Sequence, residues 1–372
     1  MSILPRYLKP YILDDLEAKM VFLGGPRQVG KTTFSQHLLP KNQVGYYNWD
    51  FTSDKQKILQ GKWPSSQKLI VLDEIHKFAK WRGLIKGYFD TLKKTHQFLV
   101  TGSARLDYYR KSGDSLLGRY HYYRMHPFTL SEVGHEHLKS LLKFGGFPEC
   151  FIEQNERNLK RWHLERRERI IYSDIRDLEH VKEISMIEVL ADALPDRVGA
   201  PLSRQNLAQD IEVDFKTVEK WISILENVYY CYRILPFGAP KIKAVKKEQK
   251  LYLWDWSELN DAGKKWENFV ASHLLKYCHF HQDVNGEQME LRFLRDELKR
   301  EVDFVVLKNK KPLFAVECKT GEKKISPHLK YFAERTPIPI FYQVHTGKSS
   351  YSITDKIKVL PFQEFCKKEN LL

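Results

Sequence analysis

In the first third of the chain, short apolar runs alternate with stretches of helical periodicity. Residues 20–23, 45–49, 68–72, 97–101 and 120–125 each read as a strand, and residues 31–39 as a helix that follows the first of them. The 68–72 run is strongly apolar, which predicts a central strand covered on both faces. Beyond residue 150 the pattern turns helical. Residues 157–170 read as one helix, and residues 203–213 and 215–226 as two more joined by a short turn. An apolar, strand-like run covers 228–235. Past a lysine-rich connection at 241–250, a helix over 266–277 precedes strands at 289–295, 302–307, 313–318 and 338–344. Such alternation predicts an α/β chain with a separate α/β tail.

At 372 residues the chain exceeds one domain of ordinary size. Lys and Arg number 61 against 47 Asp and Glu, a formal net charge of +14. A surplus of that size favours a polyanionic partner, and the plainer alternative is a solvated basic surface. The 157–170 stretch alone carries Arg157, Lys160, Arg161, Arg166, Arg167 and Arg169. The cysteines Cys150, Cys231, Cys278, Cys318 and Cys366 form no CxxC pair, which suits a reducing cytosol better than a disulfide framework or a zinc site. No apolar run approaches the length of a membrane span, and Asp14, Asp15 and Glu17 interrupt any signal-peptide core. The expectation is a cytoplasmic protein with no membrane partner.

Candidate chemistry begins at Gly25-Pro26-Arg27-Gln28-Val29-Gly30-Lys31-Thr32, a full match to G-x-x-x-x-G-K-[ST] between an apolar strand and a helix. Loop amides and the helix N-terminus would cradle the phosphates of ATP, with Thr33 at the same helix start. Lys31 would reach the β- and γ-phosphates and Thr32 would ligate Mg2+. The 68–72 strand ends in Asp73 and Glu74. Asp73 is placed to hold Mg2+ and Glu74 to polarise the attacking water. The 97–101 strand ends in Thr101, Gly102 and Ser103, and either hydroxyl could sense the γ-phosphate. Arg119, in the Gly-containing 115–119 segment, could act in trans on a neighbouring subunit's ATP.

These pieces (GPRQVGKT at 25–32, LDEIHK at 72–77, TGSA at 101–104, SLLGR at 115–119 and GGFPE at 145–149) resemble AAA+ ATPases of the AAA_14 type that carry a C-terminal DUF4143 domain. The resemblance covers nearly the whole chain. It departs at Ala104, where similar sequences often have another hydroxyl. It implies an AAA+ P-loop domain over 1–150, a helical linker and winged-helix domain over 151–245, and a restriction-endonuclease-like α/β domain over 246–372. It also implies a homo-oligomer, a ring of roughly six or seven copies.

Ser203 is a good N-cap, and Val218, Ile222 and Leu225 fall at helical spacing facing inward. Lys216, Thr217, Lys220 and Ser223 would then face out, on the helix that enters the major groove in DNA-binding examples. The run over 229–235 would supply a wing. The same architecture also serves as a protein-contact lid.

The tail holds a second signal. Glu317 and Lys319 are two apart on one strand and share a face, and Asp303 sits on the adjacent strand. Two carboxylates beside a lysine make a hard-cation site where Mg2+ would assist phosphodiester hydrolysis, with Glu267 as a further ligand. The set resembles the PD-(D/E)xK nuclease signature. The alternative is a retained fold with an ordinary ion pair. The preferred expectation is an ATP-hydrolysing protein that moves on or processes DNA, including branched or forked DNA. The alternative is an ATP-gated assembly protein whose nuclease-like domain is silent and binds DNA or protein.

Overall fold

The computed structural model describes residues 4–102, 116–175, 184–238 and 248–372. Contacts divide the chain into two compact units: residues 1–127 with 227–229, and residues 128–226 with 230–372.

The first unit is built on five strands: β1 (Met20–Gly24), β2 (Val44–Asn48), β3 (Leu69–Asp73), β4 (Gln97–Thr101) and β5 (Tyr120–Arg124). All pair in parallel, in the order β2-β3-β4-β1-β5. The centre is therefore β4 and not β3, as the apolar run at 68–72 had suggested. Continuous apolarity reports burial on both faces, and β1 and β3 are buried at every position. Lateral order is set by the crossovers instead. The helix after β1 is shorter than expected, Lys31–Gln36. The core joins Phe22, Ile70, Leu72, Phe98 and Val100 to Trp63, Trp81 and Ile85.

The second unit holds an eight-stranded mixed sheet. Its strands are β6 (Cys231–Pro236), β7 (Lys250–Leu253), β8 (Met289–Arg295), β9 (Glu301–Lys308), β10 (Lys311–Lys319), β11 (Phe341–His345), β12 (Tyr351–Thr354) and β13 (Ile357–Pro361). They lie in the order β12-β13-β11-β10-β9-β8-β6-β7. β8, β9 and β10 pair antiparallel, and β11 joins β10 in parallel after the Pro327–Arg335 helix. A tight turn links β9 to β10, with Asn309 and Lys310 at φ 51° and 64°. The helix read over 266–277 runs further, Ala262–Asn285, because Asp261 caps its start and Gly286 ends it at φ 67°.

The strand after the Phe215–Asn227 helix pairs with β7 as a wing hairpin would, and it also joins β8 through Leu235 and Pro236. The sheet thus runs across residue 245, where a domain boundary was expected. Most of the lysine-rich connection, 239–247, lies outside the described residues.

Buried polar pairs lock the second unit. His273 donates from Nδ1 to the Phe269 carbonyl at 2.8 Å and accepts at Nε2 from the Leu130 amide at 3.1 Å. Both nitrogens are committed in the neutral ring. Burial, with Lys276 one turn away, lowers its pKa to about 3 from an ordinary value of 6.5. The unfolded chain takes up a proton below pH 6.5 and the folded chain does not, so this stability is present above pH 6.5 and lost as pH falls. Each pH unit below 6.5 costs about 1.4 kcal/mol, and pH 5 costs about 2 kcal/mol. Urea unfolding at pH 7 and pH 5 should show this drop in wild type and a smaller one in His273→Gln. Equal drops in both would exclude His273 as the source.

Candidate functional site

β1 delivers the chain into the 25–30 loop. Gly25 sits at φ 137°, and a Cβ there would lie 2.4 Å from the Met125 carbonyl oxygen. Gly30 closes the loop at φ 94°, directly before the helix. Both positions need glycine. Between them Val29 is buried, while Arg27 and Gln28 are half-buried. Lys31 opens the helix and turns its ammonium back over the loop, donating to the carbonyls of Gly25 (2.9 Å) and Pro26 (2.7 Å).

Asp73, at the C-terminal end of β3, gathers the neighbouring groups. Its Oδ1 accepts from Thr101 Oγ1 at 2.6 Å, and its Oδ2 accepts from Thr32 Oγ1 at 3.3 Å. The Tyr46 hydroxyl on β2 also donates to Oδ2. Burial, then the Asp73 carboxylate, raises the Tyr46 pKa well above its ordinary value, so the phenol stays a donor. Thr32 and Asp73 thus put two oxygen donors of the kind Mg2+ takes at one spot beside the loop, and these residues fit the ion.

Glu74 follows at φ 57°, its amide held by the Thr101 carbonyl at 3.0 Å. Its Oε2 lies 3.5 Å from both Lys77 Nζ and His76 Nε2. Thr33 is exposed at the start of the helix. Ser103 lies outside the described residues. Arg119 does not reach this cluster; its guanidinium pairs with Asp90 through both carboxylate oxygens, at 2.9 and 3.2 Å.

In the second unit, β9 and β10 bring Asp303 and Glu317 to one face, as their register requires: Val316 pairs with Phe304. Lys319 Nζ bonds Glu317 Oε1 at 2.7 Å. Asp303 Oδ2 accepts from the Cys318 amide at 2.7 Å. Glu267, on the Ala262–Asn285 helix, accepts from Tyr252 at 2.7 Å. Between these carboxylates lies the fully buried Lys250. Its Nζ is 2.6 Å from Glu301 Oε1, 3.2 Å from Glu267 Oε1 and 3.8 Å from Asp303 Oδ1. Burial, with Glu267 and Glu317 close by, raises the Asp303 pKa well above the usual carboxylate range, and burial raises that of Glu317.

The Mg2+ expected at Asp303, Glu317 and Glu267 does not fit this arrangement. Two ammonium groups already stand among its carboxylates: Lys250 beside Glu267 and Asp303, and Lys319 on Glu317, while the Cys318 amide takes Asp303 Oδ2. Among the described residues, no group of three or more His, Cys, Asp or Glu is arranged to hold a metal.

Tyr46, Lys250, Tyr252 and Glu301 were not picked out from sequence. Lys250 fell inside the lysine-rich connection, although the apolar Leu251, Tyr252 and Leu253 behind it were a strand signal. Tyr46 carried no signal beyond its place on a strand.

A parallel five-stranded sheet with a P-loop after β1 and a carboxylate after β3 defines a nucleotide-binding α/β unit. Residues 17–134 match the AAA domain (AAA_14), residues 135–265 a domain of unknown function (DUF8612), and residues 262–365 another (DUF4143). The chain therefore carries an AAA domain followed by a C-terminal DUF4143 domain. An uncharacterized protein of Mycobacterium tuberculosis is 20% identical over 361 residues, covering 92% of this chain and 80% of that protein. One of Methanocaldococcus jannaschii is 25% identical over 315 residues, covering 67% of this chain and 63% of the relative. Among solved structures, RuvB of Thermotoga maritima aligns with 61% of this chain and 88% of its own at 17% identity and a TM-score of 0.33. The Aeropyrum pernix ORC1 protein in complex with DNA aligns with 73% of this chain and 94% of its own at 11% identity and a TM-score of 0.34. Among the described residues no helix is long and apolar enough to cross a membrane.

If the Tyr46 hydroxyl positions Asp73 toward Mg2+, Tyr46→Phe should raise the Mg2+ concentration needed for half-maximal ATP hydrolysis by about tenfold. Titrating Mg2+ at fixed ATP reads this directly. An unchanged midpoint would make Tyr46 a packing residue only.

Proposed function

We propose that the chain is an oligomeric AAA+ ATPase that acts on DNA. The observation that carries the ATPase reading is the meeting of Thr32, Asp73 and Thr101 beside the Lys31 loop, in a segment that matches the AAA domain. In this reading Lys31 leaves its loop carbonyls to bind the β- and γ-phosphates, and the 25–30 loop orients the triphosphate. Thr32 and Asp73 hold Mg2+, which supplies neutralisation of phosphate charge when bound. Glu74 orients and polarises the attacking water, and Thr101 keeps Asp73 in place. Arg119 acts on a neighbouring subunit's nucleotide after parting from Asp90.

DNA as the partner is supported by the +14 charge and by where exposed cations lie. Arg157, Lys160, Arg161 and Arg169 are exposed on the Glu156–Arg169 helix. Lys216 and Lys220 are exposed on the Phe215–Asn227 helix, while Val218, Ile222 and Leu225 on that helix are buried. That is the polarity a groove-binding helix requires.

A second reading keeps the ATPase and gives the C-terminal cluster no cutting chemistry. The observation favouring it is the ion pairing of Glu317 with Lys319 and of Asp303, Glu301 and Glu267 with Lys250.

Two measurements test the proposal. ATP hydrolysis should fall by at least about a hundredfold in both Lys31→Ala and Glu74→Gln, with nucleotide binding kept only in Glu74→Gln. DNA should stimulate hydrolysis in wild type. Its binding should weaken as salt rises, with a slope made shallower by about 0.9 for each phosphate-contacting cation removed from Lys160, Arg161 and Lys216. Indifference of the ATPase rate to DNA would favour an assembly switch.

A further inference from the structure

The buried Lys250 ammonium is the unexpected component of the C-terminal cluster. A side chain that gives up all contact with water must recover the lost hydration from neighbours. Lys250 does so from three carboxylates on two elements, Glu267 on the helix and Glu301 and Asp303 on β9. Those neighbours hold its pKa well above the usual lysine value despite burial, so it carries its charge at any ordinary pH. β7 places it there by pairing with β6, whose Ile234 stands opposite Lys250.

The rest of the cluster is paired to match. Glu301 divides its oxygens between Lys250 and Arg295, the latter at 2.7 Å. Asp303 gives one oxygen to the Cys318 amide, and Glu317 gives one to Lys319. A divalent cation at Asp303 and Glu317 would sit about 2.0–2.6 Å from a carboxylate oxygen of each, and so within a few ångström of the tethered Lys250 ammonium, which is 3.8 Å from Asp303 Oδ1. At that separation two cations repel strongly in a dry site.

We propose that Lys250 is the resident cation of this pocket: its ammonium takes the seat of a divalent metal, and the C-terminal site binds none while Lys250 is in place. The proposal deepens the second reading above and does not depend on whether the chain acts on DNA. A corollary is that removing the ammonium leaves a carboxylate cluster that a divalent ion can enter. Lys250→Met keeps the length of the stem and deletes the charge.

The test uses nucleotide-free full-length protein and Mn2+, titrated into wild type, Asp303→Asn, Lys250→Met and Lys250→Met with Asp303→Asn. Binding is read by calorimetry and the thermal midpoint is taken with and without the ion. Wild type is expected to show no Mn2+ site that depends on Asp303. Lys250→Met should gain one, at least tenfold tighter than any Asp303-dependent binding in wild type, lose it when Asp303→Asn is added, and show an Mn2+-induced rise in thermal midpoint larger than that of wild type. A wild-type site abolished by Asp303→Asn overturns the proposal. So does a folded Lys250→Met that gains no site. Should Lys250→Met fail to fold even with Mn2+, Lys250→Met with Glu267→Gln removes one carboxylate along with the ammonium and is read by the same criteria.

Discussion

Charge withdrawn from water must be answered inside the fold, and that constraint organises both units. An uncompensated buried ion costs several kcal/mol, about as much as the margin by which a domain is stable. Asp73 is nearly buried and takes donors from Thr32, Thr101 and Tyr46. Those donors sit after β1, on β4 and on β2, so one carboxylate ties the phosphate-binding loop to three strands. Lys250 is the mirror case, one ammonium tying β7 to β9 and to the Ala262–Asn285 helix. In each unit the candidate chemistry lies where the buried charge is, because that charge leaves few conformations open to the groups around it.

The two sites differ in what such anchoring leaves available. Asp73 is held by hydroxyls, neutral groups that can remain as donors or ligands when a cation arrives. Asp303 and Glu301 face a fixed positive charge, and a second cation can enter only against it. Two carboxylate clusters that look alike in sequence thus diverge through the partner's charge.

Much of the first unit was legible in the sequence, since parallel strands buried on both faces are continuous apolar runs and the loop motif is contiguous. All five strands appear within a residue of the expected bounds. Lateral order was not legible, and β4 rather than β3 is central. Asp303, Glu317 and Lys319 were legible as a constellation because alternation along β9 and β10 fixes their common face. Lys250 was not: a lysine in a lysine-rich stretch reads as surface, and only the pairing of β6 with β7 carries it inward. Distant pairing also decides which of the basic residues are spent. Arg166, one of six cations in the 157–170 stretch, is buried against Glu258 at 2.9 Å, and Arg167 pairs with Asp192.

These internal pairs bear on the surface as well. The Arg166–Glu258 pair withdraws one positive and one negative charge together, so it leaves the +14 surplus intact while reducing the acids available to offset it outside. Arg166 is fixed further by the ring of Phe147, 4.6 Å away, and Trp162 beside it is buried. With that face of the Glu156–Arg169 helix anchored, Arg157, Lys160 and Arg161 are presented from a rigid element. A basic face on an ordered helix loses little backbone freedom when it meets a polyanion, which favours binding beyond what charge alone provides. Arg119 is a contrasting case: its partner Asp90 is exposed, solvent screens the pair, and such a contact is easily exchanged for a stronger anion. Arg166 is therefore kept dry and paired, whereas the arginine proposed to act on another subunit's nucleotide is left in a contact it can give up.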